Sequence, residues 1–291
     1  MVAARPMFSI SLPTGETLTL GKRTLLMGIL NVTPDSFAGG GERMDPDRAI
    51  ADAITMVADG ADMLDIGGES TRPGAPPLDA GEEWRRVQPV LDGLRGRVGV
   101  PISIDTYKAD VAERAIALGA TIVNDISGFT YDSALAGVVA RTGAAAILMH
   151  NRGRSENIYE FAQYTDVMAE IAHELTARLD AAEAAGVART QLIVDPGYGF
   201  AKRAPHTLAA LARLDELASI GRPILSGPSR KSFLKTSLGD VPPAARVWGT
   251  AAAVTASILA GAHIIRVHDV TEMVQVARTA DAIRDAAGMA G

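Results

Sequence analysis

Three observations predict an α/β fold for this chain, a single (β/α)8 barrel of the TIM type. Eight short apolar runs of β type recur along the 291 residues, and helical patterns alternate with them. The dipeptide Gly-Ala closes a helical pattern before a strand four times, at Gly60-Ala61, Gly119-Ala120, Gly143-Ala144 and Gly261-Ala262. Such alternation requires right-handed parallel crossovers. Strict alternation of eight strands favours the closed barrel over an open doubly wound sheet. No Pro- or Ser-rich linker divides the chain, so residues 1–291 read as one domain.

The first 22 residues open the chain with a short β-hairpin. Phe8 to Leu12 and Leu18 to Leu20 flank Pro13, Thr14 and Gly15, and the hairpin is expected to close the bottom of the barrel. The eight expected barrel strands follow: Leu25 to Val32, Met63 to Gly68, Ile102 to Asp105, Thr121 to Ile126, Ala145 to His150, Leu192 to Asp195, Ile224 to Gly227, and His263 to Val267. Among the helices, Asp45 before Pro46 is an N-cap followed by proline at the first helical position. Between Thr165 and Ala185, Val167, Ile171, Leu175 and Leu179 recur every four residues and form one buried stripe. His173 falls off that stripe and reads as a solvated surface residue.

Composition excludes several function classes. With 47% hydrophobic and only 4% aromatic residues, the core is filled by Ala, Val, Ile and Leu. Cysteine is absent, which removes disulfides, thiolate metal sites and a cysteine nucleophile together and suits a cytoplasmic location. The N-terminus lacks the apolar core of a secretory signal, and no apolar run approaches the ~20 residues that span a bilayer, so no membrane partner is expected. A formal charge of -6 argues against a general nucleic-acid binder.

In a (β/α)8 barrel the active site lies at the C-terminal strand ends. Polar residues are dense there: Asn31; Glu69, Ser70, Thr71 and Arg72; Asp105 and Thr106; Asn124 and Asp125; His150 and Asn151; Asp195; Ser229, Arg230 and Lys231; Arg266, His268 and Asp269. Gly227-Pro228-Ser229-Arg230-Lys231 lacks the second glycine of a nucleophile elbow, and there is no P-loop or dinucleotide fingerprint. His150, His263 and His268 have no zinc-site spacing. An anion site and a polar heterocycle site remain. Arg72, Arg266 and His268 can converge on phosphate oxygens with a hydroxyl from Thr71, and Asn31 offers a neutral oxygen suited to Mg²⁺ already bound mainly by phosphate. Asp105, Asn124, Asp195 and Lys231 make a mixed donor and acceptor set. Asp195 can either accept two parallel N–H groups of a guanidine-like ring edge or cap the Pro196-Gly197 turn.

These residues resemble the dihydropteroate synthases of folate biosynthesis. The resemblance spans about Leu25 to Thr271 and rests on MGILNVTPDSF, DIGGESTRPGA, SIDTYKADVAERAIALGATIVNDI, LMH, DPGYGF-A-K, GPSRKSFL and GAHIIRVHDV, in that order. It implies a barrel that condenses 6-hydroxymethyl-7,8-dihydropterin diphosphate with 4-aminobenzoate, giving 7,8-dihydropteroate and diphosphate with Mg²⁺. It further implies that Asn31 contacts the metal and that Asp105, Asn124, Asp195 and Lys231 bind the pterin, with Met149 packed on it. Arg72, Arg266 and His268 would hold the diphosphate. Thr71, Pro73, Phe200 and Ser232 would frame the aminobenzoate, with Phe37 folded over it.

Diphosphate leaving from a methylene on an electron-rich ring develops positive charge on carbon and negative charge on oxygen. Arg72, Arg266, His268 and Mg²⁺ suit the second and an ionised Asp105 the first, so a dissociative path is expected, with no strong general base. The aminobenzoate carboxylate is expected near a helix N-terminus after Arg230-Lys231-Ser232. Two other readings share the pterin-binding barrel: a methyltetrahydrofolate:corrinoid methyltransferase, and a non-catalytic pterin-binding protein. Ser229 to Ser232 and Thr71-Arg72-Pro73 favour the synthase. The family resemblance also implies a homodimer through helices late in the barrel. One departure concerns the first loop, where the family often has an aspartate and this chain has Gly39. Asp35 and Glu42 are the nearby carboxylates.

Overall fold

A computed structural model of the chain describes residues 5–33, 45–72 and 74–288. The hairpin strands β1 (Phe8–Ser11) and β2 (Thr17–Leu20) pair antiparallel. Eight further strands follow in the chain: β3 (Leu25–Asn31), β4 (Met63–Gly67), β5 (Ile102–Asp105), β6 (Ile122–Asp125), β7 (Ala145–Met149), β8 (Leu192–Asp195), β9 (Leu225–Ser226) and β10 (Ile264–Val267). They form one sheet in the order β8-β7-β6-β5-β4-β3-β10-β9. A parallel bridge between Val194 and Ile224 brings its two edges together, with the Val194 N–H donating to Pro223 O at 2.9 Å. The sheet is therefore a nearly closed parallel barrel, as the alternation predicts.

Strand β9 is the shortest, one residue inside the expected Ile224 to Gly227 at each end, as β6 is inside its own expected span. Pro223 and Pro228 lack the N–H that would extend the ladder on either side. The other strands match their expected spans to within a residue at each end.

Helices α1 (Pro46–Ala58), α2 (Ala80–Leu94), α3 (Ala109–Ala117), α4 (Leu135–Thr142), α5 (Val167–Ala184), α6 (Ala204–Ala212), α7 (Lys235–Leu238), α8 (Val247–Leu259) and α9 (Val270–Gly288) lie between and after the strands. Asp45 caps α1 by accepting from the N–H groups of Asp47 and Arg48, a contact worth about 1 kcal/mol. Gly143 ends α4 at φ 70°, a left-handed conformation that glycine adopts without a Cβ clash. The α5 stripe Val167, Ile171, Leu175 and Leu179 is buried and His173 is exposed.

Strand alternation divides the barrel's contents. Outward residues such as Leu64, Ile66, Val123, Leu148, Val194 and Ile265 join the helices in the main apolar cluster. Inward residues at the N-terminal strand ends, among them Met27, Met63, Ile122, Ile147, Ile193, Leu225 and Ile264, pack with Ile10, Leu12, Leu18 and Leu20 of the hairpin segment. The lower barrel is thus dry and apolar. Continuing the same parity upward turns Asp65, Asp105, Asn124, Met149, Asp195 and Arg266 inward at the opposite end. Among the described residues no helix is long and apolar enough to cross a membrane.

Candidate active site

Most inward strand ends contribute a polar side chain to the barrel mouth. Arg266 of β10 lies across the centre, donating from Nε to Asp65 Oδ2 and from Nη2 to Asp105 Oδ2, both at 2.6 Å. Asn124 of β6 donates to the same Asp65 oxygen at 2.9 Å. Gly67, two residues beyond Asp65, faces Asp105 so closely that an added Cβ would lie 3.3 Å from the Asp105 Cβ. Its bare backbone leaves that carboxylate its place.

On the far side, Asp195 at the end of β8 accepts from the Gly197 N–H at 2.7 Å through Oδ1. That bond realises the turn-capping role, and Oδ2 is the second acceptor oxygen of the group. Lys231 reaches back from the loop after β9, its ammonium donating to Tyr198 O and standing 4.5 Å from the centroid of the Phe200 ring. Met149, 4% exposed, lies among these groups at the end of β7.

Burial sets the protonation of this cluster. Three carboxylates, Asp65, Asp105 and Asp195, face two cations, Arg266 and Lys231. Desolvation pushes the Asp105 carboxyl up to about 7, opposed by Arg266 and reinforced by Asp65. Desolvation also raises Asp195 and lowers Lys231 to about 8, each opposed by the other's charge. The paired carboxylates hold Arg266 firmly charged against its burial.

The anion-side residues are arranged differently. His268 Nδ1 lies 2.9 Å from Ser229 Oγ, and burial with the nearby Arg230 and Arg266 lowers its pKa to about 3. Its imidazole is therefore neutral and can offer Nε2–H as a donor. Arg72 is exposed on the rim loop after β4, with Thr71 half-buried beside it. Arg266, expected with Arg72 and His268, is engaged instead by Asp65 and Asp105, because two carboxylates lie within its reach on adjacent inward positions. Pro73, Phe37, Gly39, Asp35 and Glu42 lie outside the described residues.

On the aminobenzoate side the helical segment is short. Ser232 is exposed and begins a 3₁₀ turn, Ser232–Leu234, followed only by the four residues of α7. No extended helix starts there, since Gly239 at φ 76° and the Pro242-Pro243 pair end the segment. The helical N-terminus at Ser232 therefore carries only the dipole of a short segment.

Several strand-end residues build the loops and leave the mouth to others. Asp125, outward by parity, accepts from Ser127 N at 2.6 Å and Phe129 N at 2.7 Å. Glu69 pairs with Lys108 and accepts from Tyr107 OH at 2.9 Å. Asp269 takes the Arg230 guanidinium in a two-point pair. Asn151 donates to Tyr131 OH at 3.0 Å. His263 sits at the barrel bottom, its Nδ1 accepting from Ile224 N at 3.1 Å. Asp65 is the reverse case, central in the structure and absent from the strand-end set. The signal for it is parity: it is a lone carboxylate two residues after inward Met63 in an apolar strand.

Asn31 ends β3, half-buried, beside Gly67 of β4. Among the described residues no group of three or more His, Asp or Glu could hold a metal ion. One amide oxygen fits a Mg²⁺ that arrives on a diphosphate and keeps phosphate and water as its other ligands.

Comparison with known proteins identifies the family. A family model for pterin binding enzymes matches residues 27–268. The dihydropteroate synthase of Synechocystis is 47% identical over 277 residues, covering 95% of this chain and 96% of that protein. The crystal structure of Yersinia pestis dihydropteroate synthase with a sulfonamide drug superposes with a TM-score of 0.89 at 40% identity, covering 96% of this chain and 100% of that one. Burkholderia cenocepacia dihydropteroate synthase complexed with 7,8-dihydropteroate gives 0.87 at 39% identity, covering 98% and 99%.

Proposed function

This chain belongs to the pterin-binding enzymes and, within them, to the dihydropteroate synthases, and we propose that it condenses 6-hydroxymethyl-7,8-dihydropterin diphosphate with 4-aminobenzoate. The observation that carries the reading is the inward ring of Asp65, Asp105, Asn124, Asp195, Lys231 and Arg266 at the barrel mouth. Its alternating acceptors and donors match the amino, amide and ring N–H groups of a pterin. Met149 offers a polarisable apolar surface for the ring face.

In this reading the pterin displaces Arg266 from part of its carboxylate pair. Asp195 and Asn124 then read the ring edge, and Asp105 lies beneath the reacting methylene. The C–O bond breaks with its electron pair on diphosphate, where His268 Nε2–H, Arg72 and a swung Arg266 receive the charge. The aminobenzoate amine then forms the C–N bond and loses its proton to solvent or diphosphate. Ionised Asp105 stabilises the positive carbon electrostatically, in keeping with a dissociative path. Mg²⁺, held by Asn31 and the diphosphate, would supply further neutralisation of the leaving group. Thr71, Pro73, Phe200 and Ser232, with Phe37, frame the aminobenzoate, the substrate a sulfonamide would mimic.

Cytoplasmic location and a homodimer belong to the same proposal. Trp248 of α8, 78% exposed, and Ile283 of α9, 50% exposed, place large apolar groups on the helices late in the barrel. Diphosphate release by the purified chain tests the enzyme reading. Release is expected only with both substrates and Mg²⁺ present. Pterin binding without release would favour a non-catalytic protein, and methyl transfer from methyltetrahydrofolate would favour the corrinoid enzyme. Placing an aspartate by Gly39→Asp is expected to lower the Mg²⁺ concentration required; an unchanged requirement would leave Asn31 as the protein's sole ligand.

A further inference from the structure

Lys202 has no place in the chemistry above, yet it is one of the largest fully buried side chains, 1% exposed. It lies in the loop between β8 and α6. Its Nζ is 2.7 Å from His150 Nδ1, 3.0 Å from Phe200 O, 3.1 Å from Gly197 O and 3.3 Å from His150 O. All four partners are acceptors if the imidazole carries its proton on Nε2. Glu174 Oε2, 3.0 Å from that nitrogen, favours this tautomer. An ammonium with three protons fits such a cage, whereas a neutral amine would leave its lone pair without a donor. Burial lowers the Lys202 pKa, opposed by the charges of Asp195 and Glu174.

The cage joins two site loops at their backbones. His150 N donates to Asp195 O at 2.8 Å, and an added Cβ at Gly197 would fall 2.1 Å from His150 O. Between them Ala201 holds φ 50°, a strained value for a residue with a side chain, which persists only where its surroundings fix it. The same short segment carries the Phe200 ring and the Tyr198 carbonyl, both in contact with the Lys231 ammonium. Residues 197–200 thus lie between two lysines, Lys202 beneath and Lys231 on the mouth side.

We infer that Lys202 is a positioning residue for the aminobenzoate wall: by drawing the Gly197 and Phe200 carbonyls onto His150, it fixes the Phe200 ring against which the second substrate binds. The inference rests on the assignment of Phe200 to that wall. Of the pterin partners, Asp105 and Asn124 stay outside the caged segment, and Asp195 and Lys231 touch it only at its edges, at Gly197 N and Tyr198 O.

The test is steady-state kinetics on purified Lys202→Met, which keeps the side chain's length and removes its charge and donors. The KM for aminobenzoate is expected to rise about tenfold or more, while the Kd for pterin diphosphate, by calorimetry, changes less than about threefold. A double-mutant cycle with Phe200→Leu separates positioning from general loosening. If Lys202 acts through Phe200, adding Lys202→Met to Phe200→Leu raises the aminobenzoate KM by less than about twofold. An unchanged KM, equal losses for both substrates, or multiplicative effects in the cycle would overturn the inference. Lys202→Gln, which keeps a donor, is read the same way if the Met variant fails to fold. Failure of both to fold makes Lys202 a residue of stability alone and also overturns the inference. The wild-type diphosphate assay stands apart: no release there sinks the enzyme reading, whereas normal release with an unaltered variant sinks only the role of Lys202.

Discussion

The two ends of the barrel treat a buried arginine in opposite ways. At the bottom, Arg5 donates to Gly21 O, Thr24 Oγ1, Ala262 O and Asp281 Oδ1, at 2.7 to 3.1 Å. His263 beside it accepts from Ile224 N–H and faces Pro6 O at 3.0 Å. Arg5 and His263 thus find partners within the protein, over an apolar layer closed by the hairpin. At the mouth, Arg266 is shared by two carboxylates, Asp65 Oδ1 is buried without a hydrogen-bond partner among the described residues, and Asp105 is pushed towards protonation. Arg5 at the bottom is satisfied by the protein alone. The mouth leaves donors and acceptors to be matched by a ligand, and stability is the quantity it gives up.

Exchanging the two arginines for alanine should separate these functions most sharply. Arg266→Ala removes the cation between two buried carboxylates and a donor to the leaving group, so turnover is expected to fall by ~10² or more. Arg5→Ala should leave kcat near normal while lowering stability by about 3 kcal/mol, read from the denaturant midpoint, because Asp281 and the carbonyls lose a buried partner. Near-normal turnover in Arg266→Ala, or loss of turnover in a folded Arg5→Ala, would erase the contrast.

Asp105→Asn sharpens the same contrast in one residue, since activity and stability should move in opposite directions. The folded Asp105 carboxyl titrates near 7 against an ordinary 3.8, so between those values the folded state keeps a proton that the unfolded state has released. Stability contributed by that proton is present at acid pH and lost as pH rises through 7. The variant should therefore melt about 2–4 °C above wild type at pH 8, with the gain shrinking as pH is lowered to about 4. Its turnover should fall by about 10² because the developing cation loses its counter-charge. A melting point below wild type at pH 8 would mean that Arg266 needs both carboxylates.

Much of this end-to-end division is legible in the sequence. Alternating apolar runs and Gly-Ala helix stops specify the barrel, because both depend on local periodicity and backbone sterics. Asn31, Asp105, Asn124, Asp195 and Arg266 are legible because strand ends in a barrel face one mouth. Asp65 is not found by that rule, since it lies two residues inside its strand and only parity reveals it. Asp125 and Asp269 satisfy the rule yet turn to Ser127 and Arg230, because an outward or post-strand carboxylate meets local N–H groups and loop cations first. The Lys202 cage is invisible for another reason: it unites residues fifty positions apart through carbonyls that carry no sequence identity.

The alkaline side of the mouth gives a smaller effect. Burial brings Lys231 down to about 8, so its ammonium is lost as pH rises through that value, and with it the contacts to Tyr198 O and the Phe200 face. The free-enzyme profile of kcat/KM should accordingly fall above pH 8. Lys231→Arg keeps its charge at every accessible pH and should extend that limb upward, at a lower plateau because a planar fork replaces a point donor. An unchanged limb would assign the titration to another group.

The smallest effect belongs to Ser232, which opens a short helical segment and offers a hydroxyl at an exposed site. Ser232→Ala should raise the aminobenzoate KM by about three- to fivefold, the worth of one neutral hydrogen bond at an exposed site. With Ser232 assigned to the aminobenzoate, pterin diphosphate affinity should be unaffected, and sulfonamide inhibition should weaken in step with aminobenzoate. Equal weakening of both substrates would place Ser232 in the pterin site and dissolve the partition between the two halves of the mouth.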